Sequence, residues 1–169
     1  MRLTLIMTVA LLVFAACSGD EPADFDEPPA AVARSGAASV PLGLGSYCWM
    51  SGGAGICADS FGVVTGTVEL EVGRGESVTI GGALAQTEFA VEVAQIWLIE
   101  GEAERESDRG LVWSPWLGEW PGESSELEVE AVDGGLRFVA ELPPGRYLVS
   151  LSLRFPQGSA SYGLILAVR

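Results

Sequence analysis

The chain has 169 residues, with 23 acidic side chains against 9 basic ones, a formal net charge of −14, and arginine as its only cation; histidine, lysine and asparagine are absent. A polyanion of this kind is repelled by nucleic acid and by anionic headgroups, so no nucleic-acid partner is expected. Without histidine or lysine there is no Ser-His or Cys-His pair, no Schiff-base lysine and no histidine metal site, which leaves carboxylate, hydroxyl and thiol chemistry.

Met1 and Arg2 are followed by an uncharged, mostly apolar run from Leu3 to Ala16. That run is shorter than the roughly 20 residues a helix needs to cross a bilayer, and it fits the apolar core of a signal peptide over residues 1–16. It ends Phe14-Ala15-Ala16-Cys17, two small residues before a cysteine where polar sequence begins. This resembles a bacterial lipobox, with Phe14 where leucine is usual. The resemblance implies cleavage before Cys17, a diacylglycerol thioether on its sulfur and an acyl chain such as palmitate on its amine. With each buried CH₂ worth about 0.8 kcal/mol, more than one chain makes a stable membrane anchor. Ser18 after the cysteine implies the outer membrane of a two-membrane envelope; with one membrane, the place is its outer face. The competing reading is an ordinary secretory signal with an incidental cysteine.

Residues 17–45 mix Pro, Ala, Gly, Ser and acids without helical or strand period, and read as a disordered tether, the alternative being an edge strand around Val40–Leu44. A folded domain is expected over 46–169. It opens SYCWMSGGAGICAD, a pattern that also looks like one found in small bacterial envelope proteins, and which brings no activity with it. With Cys17 set aside for lipid, Cys48 and Cys57 are the remaining thiols. Zinc wants four ligands and a thioredoxin-type centre two intervening residues, so the pair reads as a disulfide in an oxidising compartment. Closing about ten residues, it stabilises by roughly 2.7 kcal/mol in the chain-entropy model.

Alternation then predicts strands. VVTGTVELEV (63–72) sets Val64, Val68, Leu70 and Val72 on one parity; ESVTI (76–80) and TEFAVEVAQIWLIE (87–100) follow, Trp97 being expected in the core. EGEAERESDRG (100–110) is acid-rich but lacks the D-x-D-x-D-G order of a calcium loop, and reads as a solvated loop. LVWSPWLGEW holds Trp113, Trp116 and Trp120, either packing over one end of the core or a platform for a sugar ring or a partner's apolar side chain. SELEVEAV and GLRFVAEL flank the hairpin signal Asp133-Gly134-Gly135, and RYLVSLSLRF (146–155) and SYGLILAV (161–168) flank Pro156-Gln157-Gly158.

About seven short strands with Gly/Pro punctuation argue for an all-β, antiparallel β-sandwich. Within it, Glu141-Leu142-Pro143-Pro144-Gly145-Arg146-Tyr147 resembles the corner before the sixth strand of immunoglobulin-like and fibronectin-type sandwiches, where a tyrosine hydroxyl bonds backwards to the backbone. The resemblance implies that role for Tyr147, followed by an inward face of Val149, Leu151, Leu153 and Phe155. The functional expectation is a non-enzymatic envelope lipoprotein without metal or cofactor, held to the membrane through Cys17 and presenting its sandwich to a protein partner. The alternatives are a glycan- or cell-wall-binding module using the three tryptophans and, more weakly, a hydrolase built on carboxylates.

Overall fold

The computed structural model describes residues 26–99, 105–107, 110–114 and 123–169. Cys17, Trp116 and Trp120 lie outside the described residues, as does most of the acidic segment 100–110. The first half contains β1 (Ala31–Ser35), β2 (Ala38–Pro41), β3 (Gly43–Ser51), β4 (Ala54–Ala58), β5 (Val63–Thr65), β6 (Leu70–Val72) and β7 (Ser77–Gly82). After a 3₁₀ turn at Ala83–Gln86 come β8 (Ala90–Leu98), β9 (Arg105–Ser107), β10 (Gly110–Trp113), β11 (Ser125–Glu126), β12 (Glu130–Val132), β13 (Gly135–Val139), β14 (Gly145–Phe155) and β15 (Gly158–Val168).

One sheet has the order β12-β13-β7-β1-β2 and the other β11-β8-β14-β15-β3-β4, with β6 added beside β15. Among the described residues all pairings are antiparallel except that of β6 with β15. Taking β1, β7, β8 and β11 to β15 as strands A, B, C, C′, D, E, F and G, the first sheet runs D-E-B-A and the second C′-C-F-G. That is the strand order of an immunoglobulin-like sandwich. Of the strands beyond the expected seven, β2 to β5 come from residues 36–69, placed between β1 and β6, β9 and β10 form a hairpin between β8 and β11, and β6 and β11 are short additions beside β15 and β8.

Period-two alternation builds the core. On β14, Tyr147, Val149, Leu151, Leu153 and Phe155 are buried and meet Val78, Ile80, Leu136 and Phe138 of the facing sheet. The Tyr147 hydroxyl donates to the Pro143 carbonyl at 2.8 Å, the backward bond implied by the corner sequence. Both predicted turns close as hairpins, Val132 facing Gly135 and Phe155 facing Gly158; Gly134 has φ 88°, a conformation that glycine adopts without steric penalty.

Three expectations need correction. The folded domain starts well before residue 46: Pro28 and Pro29 are buried, β1 and β2 belong to the first sheet, and the Tyr162 hydroxyl donates to the Pro29 carbonyl at 2.9 Å. Ala31 and Ala33 offer little apolar surface, so composition undervalues β1, yet both are buried in the main core, where close packing accepts small inward residues. Residues 63–72 are two strands, because β5 pairs with β10 while β6 pairs with β15 in another layer, leaving Val68 57% exposed in the link. Trp97 is buried as expected but not as the central tryptophan: it lies on the outer face of its sheet, and among the described residues the indole in the main core is Trp49, edge-on to Phe155 with centroids 5.1 Å apart.

That outer face carries a third layer. Leu148 and Ile165 would point to water in a two-sheet sandwich; here they join Trp97, Ile99 and Trp113 in a second small core beneath the sheet β5-β10-β9. Two glycines, cross-strand partners on β3 and β15, let β5 come this close. A Cβ on Gly43 would stand 2.5 Å from the Val64 carbonyl oxygen, and one on Gly163 only 2.3 Å from it.

Candidate functional site

Cys48 and Cys57 face each other across the β3–β4 hairpin with Cα atoms 4.1 Å apart, and form a disulfide. Flanked by an exposed strand and, among the described residues, by no cluster of metal-ligating side chains, the bridge fastens the hairpin's register. Trp113 does not belong to an exposed platform: it is 3% exposed, at the end of β10, and its indole N–H donates to the Thr65 hydroxyl at 3.3 Å. The pairing of β10 with β5 turns this side chain down onto Leu148 and Ile165, so the packing reading applies to it. No described residue therefore favours the glycan reading.

A concavity lies elsewhere, on a flank of the sandwich. β11 pairs with β8 only at Ser125–Ile96 and Glu126–Gln95, followed by one further bond from Leu127 N–H to the Ala94 carbonyl at 3.0 Å. The chain then crosses to the other sheet and begins β12 at Glu130. Between this crossing segment, β8 and β13 opens a groove of about 1050 Å³. Its walls include Val91, Val93, Ala94, Leu127, Phe138 and Val139.

Alternation in the crossing segment decides its chemistry. Leu127 is buried and Val129 packs on the core, so Glu126, Glu128 and Glu130 turn outward along the rim, joined by Glu92 and Glu141. Arg137 is the cation on the lining and pairs with Glu130 at 2.5 Å; Glu92 is held by Arg154 Nε at 2.5 Å. Among the described residues Glu126, Glu128 and Glu141 have no ion-pair partner, so the rim keeps a negative field. A β-bulge places Glu92 without a partner opposite it on β14, between the pairs Ser152–Val93 and Leu153–Val91. Beyond Ala94 towards its N-terminal end, β8 has no described strand on the side away from β14, which leaves a sheet edge beside the groove.

The sequence shows the Glu-x-Glu-x-Glu stripe of 126–130, but nothing in it reveals that these residues leave one sheet for the other. Elsewhere, Glu69 is bound by Arg146, with Nε donating at 2.8 Å, and Glu71 by Arg169. Burial pushes the Tyr162 phenol above its ordinary value. Compared with protein-family models, with curated proteins and with solved structures, the chain finds no match.

Proposed function

We propose that this chain is a non-catalytic lipoprotein of the cell envelope, anchored by acyl chains on Cys17, whose immunoglobulin-like domain offers its flank groove to an extended, cationic segment of a protein partner. The groove is the observation that carries the reading. Among the described residues it combines an apolar floor, a rim with three carboxylates that lack an ion-pair partner and an adjacent strand edge without a neighbour. An added strand gains main-chain hydrogen bonds from such an edge, and complementary charge selects arginine- or lysine-bearing partners and speeds encounter. The empty inventory of histidine and lysine supports a binding rather than a catalytic role.

A photo-crosslinking residue at Val93, used on intact cells, should capture a defined protein whose bound segment is basic. Capture should fall sharply in the Glu126→Gln, Glu128→Gln, Glu141→Gln variant while the domain stays folded. Undiminished capture by that variant, or carboxylate-dependent turnover of a substrate by the purified protein, would overturn the proposal.

A further inference from the structure

We infer that the tip of the β3–β4 hairpin rests on the lipid surface that holds the acyl chains of Cys17, an inference that rests on the anchor proposed above. The first support is where the chain emerges. Ser51, at the end of β3, donates its hydroxyl hydrogen to the Asp26 carboxylate at 2.9 Å, so the described chain begins against the hairpin tip. Cys17 lies nine residues earlier, and nine extended residues span at most about 32 Å. β14 alone has 11 residues, about 36 Å of strand. The anchor is therefore too short for the far pole of the sandwich to meet the bilayer.

The second support is chemical. Between Arg34 and Glu69 the sole charged side chain is Asp59, whose carboxylate accepts from the Ser46 hydroxyl at 2.7 Å. On a chain of net charge −14 this is the region that a headgroup layer repels least. The hairpin also projects: Trp49 faces Gly158 at the start of β15, and past it only the Met50 N–H finds that hairpin, at the Gln157 carbonyl, 2.9 Å away. Met50 and Ile56 are 54% and 59% exposed there. Edge strands are normally guarded by charge, and β4 carries none. Apart from the Asp26 carboxylate that Ser51 binds, the disulfide-fastened tip carries no charge of its own, and its apolar side chains suit shallow insertion among headgroups.

The test uses the lipidated protein reconstituted in phosphatidylcholine vesicles, with photoreactive benzoylphenylalanine at Met50, Ile56, Leu98 or Val139 in turn. Leu98 and Val139 are exposed controls; Leu98 faces Tyr147 beside the Pro143 corner, at the far end of β14 from the hairpin. Lipid adducts at 50 and 56 with none at 98 or 139 are expected. Adducts from 56 to a second copy or to another protein, adducts of equal yield at all four positions, or none at 50 and 56 would each overturn the inference. Mass spectrometry of Cys17 judges the anchor separately. Should that thiol prove unmodified, coupling it to a maleimide-headgroup lipid in the same vesicles repeats the test, since Cys48 and Cys57 are bridged.

Discussion

Replacing Gly163 by alanine tests whether the third layer is seated by close backbone approach. Gly163 has no positive φ, so alanine suits its backbone and the perturbation is steric. The new methyl would lie 2.3 Å from the Val64 carbonyl oxygen and 2.6 Å from Val63 Cγ1, against an ordinary contact of about 3.5 Å or more. β5 must retreat by more than about 1 Å on that reckoning. Because Val64 faces Val112 in the ladder, β10 moves with it and thins the cover over Leu148, Ile165, Trp97 and Trp113. Overpacking of this kind costs about 1–3 kcal/mol, which at roughly 4 °C per kcal/mol for a domain of this size lowers Tm by about 4–12 °C. Urea denaturation gives the free energy, and acrylamide quenching of tryptophan fluorescence should rise as Trp113 loses cover. Gly43→Ala pushes on the same strand, so the double variant should cost less than the sum of the two. Gly55→Ala serves as control, its added methyl meeting first the exposed Met50 thioether, which is free to move. Gly163→Ala as stable and as weakly quenched as the parent would refute the reasoning.

Tyr147→Phe removes the hydroxyl that binds the Pro143 carbonyl and should destabilise by about 1 kcal/mol in urea melts, with the fold retained. Replacing Cys48 and Cys57 together by serine should cost up to roughly 2.7 kcal/mol, and reductant should shift the parent's midpoint while leaving the variant's unchanged. Tyr162 predicts an alkaline limb. Its folded phenol is raised by burial, so above about pH 10 the unfolded chain releases this proton while the folded chain retains it, and stability falls with rising pH there and not below. Phenolate absorbance should lag for one of the three tyrosines until unfolding, and Tyr162→Phe should flatten the limb; an unaltered slope would count against this account.

What the sequence made legible was local. The turn at Asp133-Gly134, the turn between β14 and β15 and the Tyr147 corner each lie within a dozen residues, where turn chemistry and alternation suffice. Nonlocal choices were hidden. Gly43 and Gly163 read as punctuation, though they are the notch into which Val64 settles, some twenty and one hundred residues away in sequence. β1 was hidden by its alanines, and although packing was among the readings of Trp113, the sheet it packs beneath was not foreseeable. The carboxylate stripe of 126–130 was plain, but the groove depends on a crossing between sheets that alternation cannot reveal.

The place of β15 in its sheet bears on the order in which the chain folds. β15, ending at Val168, is an interior strand, lying between β14 and β3 and also receiving β6. While it is still being synthesised, three neighbours lack the backbone partner that completes them, and Tyr162 has not yet reached Pro29. Until β15 has joined them the two sheets cannot close their core around Leu164 and Leu166, so the closing step of folding waits on pairings between residues more than a hundred positions apart.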